Sequence, residues 1–218
     1  MKTKLISVGN YYNVCERFEK LFSESYILTS PEIVAKLIDK NTTVLFGGGE
    51  DITSAIYGVE RHETSQAGHV LSKRDEKEIE IFNLAQKVGA KSLGICRGAQ
   101  LLCALSGGKL VQNVTGHTRN HTILTKDKER YTTSSVHHQM MYPFELKDKY
   151  QMIAWSEDKL SKYYDMSPEV TLDKLEIEPE IIYFDETKSL AIQGHPEFMD
   201  ERASFVKYSQ QLVQEFLL

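Results

Sequence analysis

The sequence contains few cysteines, and none of them form a recognisable pair. Cys15, Cys96 and Cys103 are the three present among 218 residues. An odd and sparse set does not indicate a disulfide framework. No Cys-x-x-Cys pair or clustered His/Cys spacing predicts a structural zinc site. We therefore expect reduced thiols, one of which is free to act as a nucleophile.

Long apolar runs and an excess of basic charge are also missing. No stretch approaches the roughly 20 apolar residues that span a bilayer, and Lys4–Val8 fits a buried strand better than a signal peptide. The formal net charge is −5, without the basic stripe that is typical of nucleic-acid-binding proteins. We expect a cytoplasmic protein that binds neither membranes nor nucleic acid. The oligomeric state stays open, a homodimer included.

The chain shows no internal repeat, low-complexity tract or linker, so we predict a single domain over residues 1–218. Strand and helix patterns alternate over residues 1–106, which is typical of βαβ units and a parallel sheet. Residues 14–22 are predicted to form an amphipathic helix. Short strands follow residue 107, and a closing helix is predicted over residues 200–216. The helix predicted for Lys73–Val88 has five candidate buried residues: Ile79, Phe82, Leu84, Ala85 and Val88.

The segment around Cys96 carries the strongest functional signal. An apolar strand runs directly into a helix there, and Gly94 and Gly98 lie two residues to either side of the cysteine. This Gly-x-nucleophile-x-Gly spacing is that of a nucleophile elbow. The positive end of the following helix favours the reactive thiolate. The alternative is a small buried hydrophobic residue beside packing glycines, which is the interpretation we give to Cys103 and Cys15.

A nucleophilic cysteine needs a base and a group that orients the base. His195 and Glu197 lie two residues apart after an apolar strand, so both side chains can project to one side. A carboxylate there would stabilise the imidazolium. The competing bases are His137 and His138, which have no acid close in sequence. We assign these two to substrate binding or packing.

Acyl transfer also needs two N–H donors for the oxyanion. The backbone of Arg97 supplies one, because it follows the nucleophile. The strand that ends in Gly47-Gly48-Gly49 offers the second, since glycines let backbone amides approach a ligand closely. A phosphate-binding role is the rival interpretation, but the run lacks the Gly-Lys-Ser/Thr ending of a P-loop.

Four motifs together resemble the class I glutamine amidotransferase superfamily. The chain looks most like its γ-glutamyl-γ-aminobutyrate hydrolase branch, peptidase family C26, because an arginine follows the nucleophile and a His-His-Gln element is present. The motifs are the 47–51 glycine turn, Gly94-Ile95-Cys96-Arg97-Gly98-Ala99-Gln100, Ser135-Val136-His137-His138-Gln139 and Gln193-Gly194-His195-Pro196-Glu197.

This resemblance implies a flavodoxin-like α/β fold, a three-layer sandwich with a mostly parallel central sheet. It also implies a set of site residues. These are a catalytic triad of Cys96, His195 and Glu197; oxyanion-hole amides of Gly49 and Arg97, with Gly48 as the alternative to Gly49; and a glutamyl pocket formed by Gln100, Ser135, Val136 and His137.

We therefore predict a hydrolase of γ-glutamyl amide bonds that acts through a thioester and requires no metal or organic cofactor. Its partner is a small γ-glutamyl substrate or glutamine. One alternative is a glutaminase subunit that delivers ammonia to a separate synthetase. An alternative of another class is a catalytically idle binding or regulatory protein on the same fold.

Overall fold

The structure is a computed structural model that describes residues 2–218 and contains one large sheet and two small ones. The strands in chain order are β1 (Lys4–Val8), β2 (Glu24–Leu28), β3 (Thr42–Phe46), β4 (Lys91–Ile95), β5 (Lys109–Val111), β6 (His121–Thr125), β7 (Arg130–Thr133), β8 (Met140–Tyr142), β9 (Tyr150–Ser156), β10 (Tyr164–Ser167), β11 (Val170–Leu172), β12 (Pro179–Phe184) and β13 (Ser189–Ile192). The α-helices of this part of the chain are α1 (Pro31–Leu37), α2 (Lys73–Val88), α3 (Arg97–Leu105) and α4 (Ser204–Leu217).

The large sheet has the strand order β2-β1-β3-β4-β13-β12-β9-β6-β7. Its first five strands are parallel to their neighbours, and the other four extend it in antiparallel pairs. Alternate residues face opposite sides: Ile6 packs with α1, α2 and α3, whereas Leu5 packs with α4. These helical layers on both faces confirm the predicted α/β, flavodoxin-like architecture.

Helix α2 begins with reciprocal hydrogen bonds at its N-terminus. The Ser72 hydroxyl accepts from the Asp75 amide at 3.0 Å, and the Asp75 carboxylate accepts from the Ser72 amide at 3.2 Å. Its predicted bounds are confirmed, but its predicted buried face is partly wrong. Phe82 and Ala85 are buried, whereas Ile79 and Leu84 are half-buried and Val88 is exposed. The buried face instead begins with two acids and continues through apolar residues: Asp75, Glu78, Ile81, Phe82 and Ala85.

Residues 14–22 do not form the predicted amphipathic helix. They belong to two short 3₁₀ helices, Tyr11–Arg17 and Glu19–Leu21. Phe18, with φ −124° and ψ −21°, lies outside the helical region and separates the two. The apolar spacing nevertheless marks Val14 and Phe18 correctly as buried residues.

The strands that position the candidate site are β3, β4 and β13, which are adjacent and parallel. Phe46 at the end of β3 pairs with Gly94, and Ile95 at the end of β4 pairs with Ile192 at the end of β13. The segments that leave these three strands therefore emerge at one edge of the sheet, where ligands bind in open α/β folds. Across residues 2–218, no helix combines the length and the hydropathy that a membrane crossing requires.

Candidate active site

Cys96 occupies a strained turn between β4 and α3. Its backbone has φ 51° and ψ −105°, a combination that L-residues rarely adopt and that costs about 1–3 kcal/mol. Two hydrogen bonds hold it there: the Cys96 amide donates to the Ile192 carbonyl at 2.9 Å, and the Cys96 carbonyl accepts from the Gln100 amide at 3.0 Å. The turn thus has the geometry of a nucleophile elbow.

The glycines on either side of Cys96 permit close backbone packing. A Cβ at Gly98 would lie 2.0 Å from the Phe46 carbonyl oxygen, and a Cβ at Gly94 would lie 2.4 Å from the carbonyl oxygen of Gly98. Any side chain at these positions would push α3 away from the strands. The spacing found in the sequence therefore has a steric cause, which is the tight crossing of helix and sheet.

His195 lies beside Cys96 and is oriented by Glu197. Its Nδ1 is 2.7 Å from Glu197 Oε1, which leaves Nε2 for the Cys96 thiol. Burial opposes protonation of the imidazole, but its interactions with Cys96 and Glu197 prevail and raise the pKa of His195 to about 10. The three residues of the predicted triad thus lie together in the structure.

Gly48 lies against both of these residues. A Cβ at Gly48 would lie 3.0 Å from His195 Cε1 and 3.7 Å from Cys96 Cβ. The outer face of the imidazole stacks on Phe198, with ring centroids 4.4 Å apart, and Tyr12 meets Phe198 edge-on. The glycine turn and the aromatic pair therefore hold the imidazole ring between them.

Arg74 orients the glycine turn that was predicted to supply an oxyanion-hole amide. Its Nη2 donates to the Gly47 carbonyl at 3.1 Å and to the Gly48 carbonyl at 3.0 Å. In a trans peptide the N–H points opposite to the carbonyl. The amides of Gly48 and Gly49 therefore point away from Arg74.

The side chain of Arg97 has a separate role from its backbone amide. The guanidinium is 1% exposed and lies 2.5 Å from Asp75 Oδ1, with Glu78 as its second carboxylate partner. Glu78 also accepts from Arg74 Nε at 2.8 Å, which links this buried cluster to the glycine turn. The sequence analysis missed Arg74, Asp75 and Glu78. Acids at positions 75 and 78 share the buried face of α2 with Ile81 and Phe82, and that spacing was the available signal.

A pocket of about 90 Å³ opens onto Cys96. Four of the predicted residues line it: Gly49, Gln100, Val136 and His137. Ser135 does not line it, since its hydroxyl donates to the His117 carbonyl at 2.6 Å behind the pocket wall. The sequence analysis assigned no pocket role to three further lining residues, which are Asp51, Gln66 and Gln139.

The two competing bases have partners of their own. His138 Nε2 lies 3.1 Å from Asp51, an acid 87 residues away in sequence. His137 places Nδ1 2.8 Å from the Gln139 carbonyl and turns its other nitrogen toward Glu180. The fold therefore gives acids to both histidines, but it puts neither of them beside Cys96 in the way that it puts His195.

The other two thiols are in unreactive surroundings. Burial raises the pKa of the Cys15 thiol to about 11 and that of the Cys103 thiol to about 12. Cys103 lies inside α3, and Cys15 packs on the opposite face of the sheet. Both remain protonated near neutral pH and do not compete with Cys96 as nucleophiles.

We expect Glu197→Gln to lower the pKa of His195. The substitution removes the carboxylate that stabilises the imidazolium. Histidine ring NMR should show the wild-type imidazole still protonated well above neutral pH, and the variant imidazole deprotonating nearer to its ordinary range. The stabilisation from this raised pKa is complete below about pH 6.5. It is lost as the pH rises toward about 10. The wild-type free energy of unfolding should therefore fall more steeply over that interval than that of the variant.

Glu215→Gln is the matched control, since Glu215 is exposed on α4. It should leave the His195 titration unchanged. A His195 titration that is the same in wild type and Glu197→Gln would show that the carboxylate does not govern this imidazole.

Comparison with known proteins identifies the family to which this chain belongs. The Peptidase C26 family model matches residues 8–142. A protein of Mycobacterium tuberculosis, Rv2859c, whose name provisionally classes it as a glutamine amidotransferase, is 32% identical over 102 residues, which are 44% of this chain and 32% of that protein. The YvdE homologue of Lactococcus lactis subsp. cremoris, named as glutamine amidotransferase-like, is 35% identical over 79 residues, or 36% of this chain and 39% of its own length. The matches thus span 32% and 39% of the lengths of these two relatives.

Solved structures share the fold at low identity. The glutaminase domain of Trypanosoma brucei CTPS, solved with bound acivicin, has a TM-score of 0.59 and 11% identity, and the alignment covers 97% of this chain and 92% of that one. A glutamine amidotransferase from Thermotoga maritima has a TM-score of 0.53 and 14% identity, with 100% and 95% covered. These similarities confirm the class I glutamine amidotransferase fold.

Proposed function

Because the chain belongs to the Peptidase C26 family, we propose that it is a cysteine-dependent hydrolase of γ-glutamyl amide bonds. One observation carries the proposal. Cys96 lies at a strained strand-to-helix turn, beside a histidine that is hydrogen-bonded to a carboxylate. A binding protein gains nothing from such strain, whereas a nucleophile held in that conformation is pre-positioned for attack.

The reaction would proceed in two steps that use His195 as acid and then as base. The Cys96 thiolate attacks the γ-carbonyl carbon and forms a C–S bond, and the electron pair of the carbonyl moves to its oxygen. Collapse of this intermediate breaks the C–N bond, and His195 protonates the departing amine. His195 then takes a proton from water, whose oxygen attacks the thioester carbon. The C–S bond breaks, which releases glutamate and regenerates the Cys96 thiolate beside the protonated His195.

Two backbone amides would stabilise the oxyanion. The Arg97 amide is at the N-terminus of α3, next to the nucleophile. The second donor is the amide of Gly49, which lines the pocket together with Cys96; the Gly48 amide is the alternative. The contacts of Arg74 with the Gly47 and Gly48 carbonyls support this assignment, because they fix the orientation of the turn before substrate binds.

The polar lining of the pocket beside Cys96 suits a glutamyl group. Gln100 is held by a 2.9 Å hydrogen bond to the Gln139 carbonyl, and Val136 and His137 form the adjacent wall. Asp51 is the one carboxylate among the lining residues. We assign it to the α-ammonium group of the substrate, whose charge it complements.

A glutaminase that supplies ammonia to a separate synthetase would use the same residues, so activity must distinguish the two. The purified chain should be incubated with a panel of γ-glutamyl amines and with glutamine, and both glutamate and ammonia should be quantified. Cleavage of γ-glutamyl amines by the chain alone supports the hydrolase. Turnover of glutamine that appears only after a synthetase is added supports the subunit, and no turnover of any substrate by folded protein contradicts both.

A further inference from the structure

Three histidines converge on Glu180, outside the catalytic triad. The distances to Glu180 Oε1 are 2.8 Å from His121 Nε2, 3.2 Å from His117 Nδ1 and 3.9 Å from His137 Nε2. None of the four side chains is more than 6% exposed. Such a concentration of imidazole and carboxylate in the interior requires an explanation, because buried charges are costly unless they are paired or bind a metal.

Each histidine is held through its other ring nitrogen. His117 Nε2 lies 3.1 Å from Glu178 Oε2, His121 Nδ1 lies 3.2 Å from the Arg119 carbonyl, and His137 Nδ1 lies 2.8 Å from the Gln139 carbonyl. A ring nitrogen that faces an oxygen acceptor carries the proton, so in a neutral imidazole the opposite nitrogen presents a lone pair. In His117 and His137 that opposite nitrogen faces Glu180 and has no hydrogen-bond partner within residues 2–218, whereas His121 Nε2 is hydrogen-bonded to the Glu180 carboxylate at 2.8 Å. Metal-binding histidines in proteins are oriented in this way by carbonyls and carboxylates behind them.

Protons on the histidines are the competing source of positive charge. Protonated His117 and His121 would balance Glu178 and Glu180 and would satisfy the short contacts. They would leave His137 Nε2 and Glu180 Oε2 unpaired, since both atoms are buried and have no hydrogen-bond partner within residues 2–218. A divalent cation balances the same two carboxylates with neutral imidazoles, and it also uses the lone pairs that protons leave unpaired.

We propose that His117, His137 and Glu180 bind one divalent transition metal ion of the zinc class. Two imidazole nitrogens and one carboxylate oxygen are a ligand set that suits zinc. The three ligand atoms all lie within 4.8 Å of one another. Tetrahedral ligands at about 2.0–2.1 Å from the ion lie about 3.3 Å from one another, and Glu180 Oε1 is 3.2 Å from His117 Nδ1 and 3.9 Å from His137 Nε2.

The bound ion would stabilise the wall of the substrate pocket. The His117 carbonyl accepts hydrogen bonds from the His137 amide at 3.1 Å and from the Ser135 hydroxyl at 2.6 Å. The His195 amide donates to the Ser134 carbonyl at 2.9 Å, in the same segment. The three ligand side chains are buried, so substrate cannot reach the ion. The metal would therefore be structural and would not take part in the thioester chemistry.

This proposal departs from the sequence-based expectation that no metal is bound. His117, His137 and Glu180 come from three separate segments of the chain. The backbone hydrogen bond from the His137 amide to the His117 carbonyl joins the first two segments, and β12 carries Glu180. No short spacing in the sequence predicts such a site.

The test measures metal content in the Cys96→Ser chain, so that the active-site thiol cannot bind metal. The protein is stripped with a chelator, reconstituted with Zn²⁺ or Co²⁺, desalted and analysed by elemental mass spectrometry. We expect about one metal ion per chain, and visible Co²⁺ bands of tetrahedral type without thiolate charge transfer. Less than about one tenth of an equivalent would overturn the proposal, whatever the catalytic activity.

Ligand variants in the same background locate the bound ion. Glu180→Gln and His137→Ala should lose the metal and the rise in Tm that metal binding gives, whereas His69→Ala, a change at an exposed histidine, should keep both. Stoichiometric metal that persists in the folded Glu180→Gln and His137→Ala proteins would place the ion elsewhere and overturn the proposal. If a variant does not fold, the metal content of the Cys96→Ser chain still decides whether the protein binds the ion.

Discussion

Cys96→Ala is expected to lower kcat for γ-glutamyl amide hydrolysis by about 10⁴-fold or more, because no other thiol or hydroxyl can replace the attacking sulfur. The side chain is small, so the free energy of unfolding should change by less than about 1 kcal/mol. Steady-state release of glutamate and urea denaturation measure the two quantities. The combination of lost turnover and retained fold is the expected signature of a nucleophile.

Cys15→Ala and Cys103→Ala are the matched controls. Both thiols are buried away from the pocket, and both substitutions should leave turnover intact. Iodoacetamide labelling near neutral pH should modify Cys96 in preference to these two residues. Undiminished activity of Cys96→Ala would exclude the covalent mechanism.

Arg97→Met is expected to lower the free energy of unfolding by about 3–5 kcal/mol, because it leaves two carboxylates in the interior without their shared partner. Asp75 and Glu78 are each 1% exposed, as is Arg97 itself. Asp75 keeps the Thr53 hydroxyl at 2.7 Å and Glu78 keeps Arg74 Nε at 2.8 Å, but neither contact replaces the guanidinium. Chemical denaturation with linear extrapolation measures the loss.

Arg130→Met tests the same chemical change on the surface. Arg130 pairs with Glu157, and its side chain is 63% exposed, so the cost should not exceed about 1 kcal/mol. Arg97→Lys should not restore stability, since a single ammonium cannot form the forked contact with two carboxylates. Adding Asp75→Asn and Glu78→Gln to Arg97→Met should recover part of it. Equal costs for Arg97→Met and Arg130→Met would contradict the role of the buried cluster.

The sequence predicted the features that depend on neighbouring residues. The Gly94–Cys96–Gly98 spacing predicted a tight strand-to-helix turn because steric limits on a Cβ act over a few residues. His195 and Glu197 are two residues apart, so their hydrogen bond could be anticipated in the same way. The predicted start of α2 at Lys73 is also confirmed.

Features that depend on distant pairing were missed. The buried roles of Asp75 and Glu78 were not predicted, because their partner Arg97 comes from another helix. The pocket role of Asp51 depends on a contact with His138 across the sheet edge. The helix predicted for residues 14–22 was wrong for a different reason: the apolar spacing fits a helix, but the backbone at Phe18, with φ −124° and ψ −21°, separates two short 3₁₀ helices. Periodicity predicts burial there and does not predict backbone conformation.

The central claim is that the sulfur of Cys96 becomes covalently bound to the γ-carbon of a glutamyl group. Acid quenching during turnover of the best γ-glutamyl substrate, followed by peptide mass spectrometry, tests it most directly. We predict that the peptide containing Cys96 gains the mass of one glutamyl group as a hydroxylamine-sensitive thioester, and that Cys96→Ala protein shows no such adduct. Turnover that continues while the Cys96 peptide stays unmodified, or an adduct found on another residue, would contradict the account.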